Sequence, residues 1–461
     1  MSGRSMRVTD CALTFLEVPM RVPLKFGAQT VTGVTCARVC VRVRGADGRE
    51  ATGWGETPLS VAWVWPSALG YEERNERLKG MTVKIAGALK VGDGGEGHAF
   101  EIGYDFIKGR LGELEAGENA GRESGETMPH LAVLVSFSAF DLALHDAFGN
   151  LHGVPVYETY TGEWMGRDLA WYFGDEAFEG KYPGDYLEAG KETLPVWHLV
   201  GGLDPLDESE LTGEEPDDGY PVMLRDWIRR DGLDCLKIKL RGNDAEWDYE
   251  RLVKIGKMAQ REGCGYLTTD FNCTVTDPAY VNEILDRLKI EEKAIWDAIL
   301  YVEQPFPYDL KANQIDVHSV SERKPLYMDE SAHDWTYVRL GKSLGWTGVA
   351  LKTCKTQTGA LLSLCWAKAN GMGLMVQDLT NPMLAQVPHA LLAAHAGTIM
   401  GVESNGMQFY PDASLPEAEV HPGLYRRRGG VLDLGTLSGS GFGYRVGEIV
   451  RALPGAAVEF G

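Results

Sequence analysis

The runs LDCLKIKL (233–240), YLTTDFN (266–272), LYVEQPF (300–306), PLYMDES (325–331) and WTGVALKT (346–353) each carry a short apolar segment that breaks off at a charged or polar residue. Amphipathic stretches separate them. The same rhythm extends outward to PVWHLV (195–200) on one side and to GLMVQDL (373–379) and TIMGVES (398–404) on the other. Eight strand candidates alternating with helices predict an α/β fold, a (β/α)8-type, TIM-like barrel. Near-continuous apolar strands suit such a sheet, because both of its faces are covered. The barrel domain is expected over 161–404, with the Gly-, Asp-, Glu- and Pro-rich stretches 163–192 and 201–221 as insertions around its first strand.

In a barrel of this kind the chemistry sits at the C-terminal ends of the strands. Strand two ends in Lys237-Ile238-Lys239, strand three in Asp270-Phe271-Asn272, strand four in Glu303-Gln304-Pro305, strand five in Asp329-Glu330-Ser331 and strand six in Lys352. Period two puts Lys237 and Lys239 on one face of their strand. Asp270, Glu303 and Asp329 then point to one mouth from consecutive strands, and three converging carboxylates repel unless a cation lies among them. Oxygen-only ligands suit a hard ion, Mg²⁺ before others. Singly, a Lys-x-Lys reads as a solvated strand end and an Asp-Glu-Ser as a helix cap. The joint order Lys, Asp, Glu, Asp, Lys on strands two to six is what marks a site.

Farther out, residues 7–58 alternate as antiparallel strands, with Val39, Val41 and Val43 on one face and a turn at Asp47-Gly48. From about 68 to 150 the pattern becomes helical, closing with LAVLVSFSAFDLALHDAFGNLHG (131–153). The Gly- and Glu-rich stretch 92–127 reads as a long polar loop. A net charge of −21 argues against a nucleic-acid partner. The eight cysteines form no Cys-x-x-Cys pair and read as reduced, structural thiols. No run of 18 apolar residues and no signal-like N-terminus is apparent, so a cytoplasmic protein with no membrane partner is expected.

These motifs resemble the enolase superfamily, and within it the muconate-lactonizing enzymes and dipeptide epimerases of the mandelate racemase/muconate lactonizing enzyme family. FGAQT (26–30), GWGETPL (53–59) and AFDLALHDAFGNLHGVPV (139–156) resemble the family's N-terminal α+β capping domain, placed at 1–160. GSGFGYR (439–445) resembles the C-terminal segment, 405–461, that returns to complete it. The resemblance implies a homo-oligomer acting on a small-molecule carboxylate. It implies Asp270, Glu303 and Asp329 as ligands of Mg²⁺, with Mn²⁺ as the alternative ion. Lys239 and Lys352 become the acid/base pair on opposite faces of the substrate, and Lys237 sustains the local positive potential. Asn272 and Glu330 would orient the ligands, and Lys355 is an additional lysine. The implied reaction removes the proton alpha to a carboxylate through an enediolate.

The departures from the family pattern matter as much. Strand six ends in Lys352 and strand seven in Gln377-Asp378-Leu379-Thr380-Asn381, without the His-Asp dyad of mandelate racemase-like enzymes. Thr356-Gln357-Thr358-Gly359 replaces the usual Gly-Gly after the strand-six lysine, and Glu403-Ser404-Asn405 stands where dipeptide epimerases carry Asp-x-Asp. Asp378 and Glu403 are candidate partners of a substrate amine, and Trp63 and Trp65 are candidate lid residues. The leading expectation is an isomerase, an epimerase or racemase of an amino-acid-derived or dipeptide substrate. The alternatives are a cycloisomerase or β-elimination lyase, as in muconate lactonization or o-succinylbenzoate synthesis, and a non-catalytic barrel binding metal or acid.

Overall fold

Alternating apolar residues build an antiparallel sheet first. β1 (Met6–Phe26), β2 (Gln29–Gly45), β3 (Glu50–Pro58) and the short β4 (Glu96–Gly97) lie in the order β3-β2-β1-β4. The structure, a computed structural model, describes residues 4–26, 29–90 and 95–460. Part of the FGAQT motif, Gly27 and Ala28, therefore lies outside the described residues. Val39, Val41 and Val43 all face the core, and Gly48 turns the β2–β3 hairpin at φ 84°.

Helices Tyr71–Lys90 and His130–His152 pack against the sheet. The second is apolar and long enough to cross a membrane by composition alone, yet the tested stretch is wholly buried inside the fold. It lies so close to β3 that a Cβ on Gly53 would stand 2.1 Å from Ala147 N, and one on Gly55 would stand 2.1 Å from Ala139 O. The glycines of the Gly-Trp-Gly motif and a ladder of Ala139, Ala143 and Ala147 are thus the two halves of one close contact.

The stretch 92–127 departs from expectation. Its described part is mostly helical: Ala99–Phe106 and Gly112–Asn119 flank a π-helical turn at Ile107–Leu111. His98 and Glu101 form a capping box at its start, and Phe100, Ile102, Phe106 and Leu111 are buried. Gly109, Gly112, Glu113 and Gly117 lie on the solvent side of this segment, which is why composition suggested a loop.

The barrel comprises β5 (Thr193–Val200), β6 (Cys235–Lys239), β7 (Tyr266–Asp270), β8 (Ile299–Glu303), β9 (Leu326–Met328), β10 (Gly348–Leu351), β11 (Gly373–Val376) and β12 (Val402–Glu403). From β5 to β11 each strand pairs in parallel with its neighbour, and β12 pairs with β5. A bond from Ile399 N to Leu374 O, 2.8 Å, spans the remaining gap toward β11. All eight strands fall inside the expected runs or at their edges. Trp197, Cys235, Tyr301, Tyr327 and Met375 fill the barrel interior as a packed layer. Gly348 and Gly373 make room for the Tyr327 ring.

The C-terminal segment touches both layers. β13 (Val431–Asp433) pairs antiparallel with β5, while Val458 bridges to Leu13 of the cap sheet. A buried chain of charges joins the cap to this segment: Arg38 pairs with Glu56 of the Gly-Trp-Gly-Glu motif and, at 3.2 Å, with Glu417, which also holds Arg451.

Gly55→Ala should lower the unfolding free energy by about 1–3 kcal/mol, since the helix backbone leaves no room. Gly80→Ala, in the open middle of helix Tyr71–Lys90, should raise it by about 0.5–1 kcal/mol. Chemical denaturation midpoints of the two variants check this pair of opposite signs.

Candidate functional site

The strand ends converge as the barrel geometry requires. Lys237 Nζ, buried, lies 2.6 Å from Glu303 Oε1, 3.1 Å from Glu403 Oε2 and 3.2 Å from Asp270 Oδ2. Lys239 donates to Asp270, whose other oxygen accepts from Asn272 N at 2.9 Å and Asn272 Nδ2 at 3.0 Å. On the far side Lys352 Nζ lies 3.3 Å from Asp329 Oδ2 and donates to Asp378 O at 2.9 Å. Lys355, the additional lysine, stands 3.3 Å from Asp329 Oδ1. Glu303 sits between the two flanks, held by Lys237 and by Gln377.

Trp63 and Trp65 part company. Trp63, half-buried, donates from Nε1 to Glu330 Oε1 at 2.9 Å, and its ring centroid lies 5.2 Å from Lys352 Nζ and 5.6 Å from Lys355 Nζ. Trp65 is 1% exposed in the cap core, with Arg77 stacked 4.4 Å from its ring, so of the two only Trp63 lies beside the lysines. Asp378 and Glu403 both line the buried ends of β11 and β12. Asn405 bridges them, donating from N to Asp378 Oδ2 at 2.7 Å and from Nδ2 to Asp378 Oδ1 at 3.1 Å and to Glu403 Oε1 at 2.8 Å.

Several residues with a place at this mouth escape a reading by residue type. Gln304 accepts from Asp329 N at 2.8 Å, Ser331 N at 3.2 Å and Ser331 Oγ at 2.7 Å, which fixes the loop carrying Asp329 and Glu330. Its place inside the Glu-Gln-Pro motif was the available signal. Asn405 and Gln377 have no signal of their own beyond ending a strand. Of seven non-glycine residues with left-handed backbone among the described residues, six follow barrel strand ends: Asn272, Cys273, Gln304, Thr356, Thr380 and Met383.

The electrostatics are lopsided. Six carboxylates (Asp270, Glu303, Asp329, Glu330, Asp378 and Glu403) face four ammonium groups (Lys237, Lys239, Lys352 and Lys355), nearly all of them buried. Full ionisation leaves two negative charges in excess. Burial and the neighbouring Asp270 push Glu303 well above the carboxylate range, although Lys237 opposes them. Burial, Asp329 and Asp270 push Glu330 up to about 7. Asp270 is held low because Lys239 and Lys237 outweigh its burial, and Asp329 because Lys352 and Lys355 do. Burial alone would lower Lys352, but Asp329 raises it.

Among the described residues no three carboxylate, imidazole or thiolate groups stand in a chelating array as they lie. The oxygens of Asp270, Glu303 and Asp329 are turned to lysines and amides instead. The donor set nevertheless fits a hard divalent ion: it is all oxygen, the mouth has two surplus negative charges when its acids are fully ionised, and Asn272 Oδ1, Glu330 Oε2 and Gln377 Oε1 are buried without partners among the described residues.

Lys237→Met should destabilise the protein by about 3–5 kcal/mol in metal-free buffer at pH 7.5, because it strands buried carboxylates. The loss should shrink as the pH falls to 5. Carboxylates whose folded pKa lies above the unfolded one contribute stability that is present at low pH and lost as pH rises. Denaturation at both pH values measures the difference; a deficit independent of pH would contradict this charge balance.

No family model and no curated protein sequence matches the chain. Solved structures do resemble it. The L-Ala-D/L-Glu epimerase from Bacillus subtilis, a substrate-liganded complex, superposes with a TM-score of 0.62 at 18% identity, covering 98% of this chain and 100% of that one. The dipeptide epimerase from Enterococcus faecalis, complexed with Mg and the dipeptide L-Leu-L-Tyr, gives 0.62 at 16% identity, covering 95% and 99%. The muconate lactonizing enzyme from Pseudomonas fluorescens, complexed with muconolactone, gives 0.58 at 17% identity, covering 95% and 96%. The chain therefore has the fold of these enzymes: a TIM-type barrel under an N-terminal capping domain, matched over nearly its whole length.

Proposed function

We propose that this protein is a Mg²⁺-dependent isomerase that moves the proton alpha to a carboxylate with Lys239 and Lys352, acting as an epimerase or racemase of an amino-acid-derived or dipeptide substrate. The observation that carries the reading is the placement of two lysines on opposite flanks of one carboxylate set, Lys239 at Asp270 and Lys352 at Asp329, with Glu303 between. A non-catalytic binding site has no need of a base on each side.

Asp270, Glu303 and Asp329 would hold the ion, with Mn²⁺ as the alternative, and Asn272, Gln304 and Gln377 would fix the carboxylates. When bound, the ion takes up the negative charge that develops on the substrate carboxylate as the alpha proton leaves. One lysine, neutral, removes that proton from its face, and the other, protonated, returns one to the opposite face, which inverts the carbon. Lys237 remains charged among Glu303, Glu403 and Asp270 and offsets part of their negative charge. Trp63 covers Lys352 and Lys355 and so limits water beside them.

One observation favours a second reading, cycloisomerisation or β-elimination of a substrate without an amino group. Asp378 and Glu403 are saturated by Asn405 and Lys237 and offer little to a substrate ammonium. The half-reaction is the same in both readings.

Incubated with Mg²⁺ in D₂O and a pool of dipeptides, N-succinyl and N-acyl amino acids and muconate-like diacids, the protein should introduce deuterium alpha to a carboxylate. Lys239→Ala and Lys352→Ala should each slow net turnover by ~10²–10⁴-fold. Mass spectrometry separates the readings: deuterium in an intact skeleton means epimerisation, whereas ring closure or loss of a leaving group means the second. Exchange that persists without Mg²⁺, or net turnover undiminished in both variants, would refute the two-lysine assignment.

A further inference from the structure

The loop after Lys352 is short and constrained on all sides. A 3-10 turn at Thr353–Lys355 follows, closed by Lys355 N to Lys352 O at 3.1 Å. Cys354 is buried among the cap's apolar residues. Thr356 then turns with φ 75°, and helix Gln357–Ala369 begins. The first N–H groups of a helix need acceptors. Thr356 Oγ1 supplies one, to Gly359 N at 2.9 Å. The acceptor for Thr358 comes from the other domain: Asp141, fully buried on cap helix His130–His152, takes Thr358 N and Thr358 Oγ1, each at 2.9 Å.

The surroundings are built to keep that carboxylate in place. A Cβ on Gly103 would meet Asp141 Oδ1 at 2.1 Å, so only glycine fits there. His145 Nε2 lies 3.0 Å from Thr358 Oγ1, and its other ring nitrogen is bonded to Tyr160. No ammonium or guanidinium contacts Asp141 in the described structure; its charge faces the amide end of a helix, where the dipole favours an anion.

We infer that Asp141 is a positioning residue for Lys352: by clamping Thr358 from the cap, it fixes the loop that aims Lys352, and it has no such hold on Lys239. This inference rests on the two-lysine reading and predicts an asymmetry between the two faces. Lys239 stands on β6 and is held by Asp270, away from the clamp.

The test uses two readouts on the full-length protein with Mg²⁺. The first is alpha-proton exchange in D₂O with separate stereoisomers as probes, L-Ala-L-Glu against L-Ala-D-Glu and N-succinyl-L-lysine against its D-isomer. Lys239→Ala and Lys352→Ala identify which isomer each lysine deprotonates. In Asp141→Asn, exchange of the isomer served by Lys352 should fall by ~10²-fold, the order expected of a misplaced reacting group. Exchange of the isomer served by Lys239 should stay within ~3-fold. Thr358→Val should show the same one-sided loss more weakly, and Thr358→Ser should restore it. The second readout needs no substrate: acetic anhydride labelling followed by mass spectrometry should show the labelling rate of Lys352 changed several-fold in Asp141→Asn, with Lys239 unchanged. Equal losses on both faces, equal labelling changes, or no change in either would overturn the proposal. Exchange absent from the wild type with every probe would count against the proton-transfer reading, and labelling alone would then decide whether Asp141 positions Lys352. If Asp141→Asn does not fold, Thr358→Val and Thr358→Ser carry both readouts.

Discussion

A single buried ammonium group organises the centre of this molecule. Lys237 lies within ionic contact of Glu303, Glu403 and Asp270, carboxylates that arrive from three different strands. Without it the ends of β7, β8 and β12 would present unscreened negative charge to one another at low dielectric. Because Lys237 belongs to β6, the charge balance also fixes the register in which that strand meets β7. The other features of the mouth are arranged around this balance: Asn405 donates to the oxygen of Glu403 that Lys237 leaves, Gln377 holds the second oxygen of Glu303, and two further lysines flank Asp329. With every acid ionised the imbalance that survives is two negative charges, which one divalent cation would balance.

The capping layer contributes to the same mouth through a small number of contacts of different kinds. Trp63 reaches it through a ring and an indole N–H, Asp141 through a carboxylate bonded to the start of helix Gln357–Ala369, and Cys354 and Leu379 are drawn the other way, into the cap's apolar core. The junction between domains is therefore part of the site, and the C-terminal segment, bonded to both β5 and β1, holds the two layers together from behind.

The sequence was most legible where chemistry and periodicity coincide. Every barrel strand announces itself as an apolar run, and from β6 to β12 the residue at or just after its end is polar; Lys237, Lys239, Asp270, Glu303, Asp329 and Lys352 could be placed at the mouth from that rule alone. Contacts between distant segments were not legible. Nothing local in Asp141 points to Thr358, and nothing in Trp65 distinguishes it from Trp63 until the helix that follows buries one and leaves the other over the lysines. The helices of 99–119 were hidden by glycine and glutamate on their wet side, while the apolar residues that hold them are spaced too unevenly, around a π-helical turn, to give a clean period.

The left-handed residues at the strand ends have a consequence for the protein's history. A non-glycine residue in that conformation costs roughly 1–3 kcal/mol, less for asparagine, so the mouth of the barrel is held away from its local optimum while the strands beneath it are relaxed. Substitution of Cys273, Thr356 or Thr380 by glycine would ease the backbone and at the same time loosen the loops that carry the polar side chains. Selection for thermal stability alone would favour those replacements, whereas the bulkier residues this chain carries keep the mouth ordered.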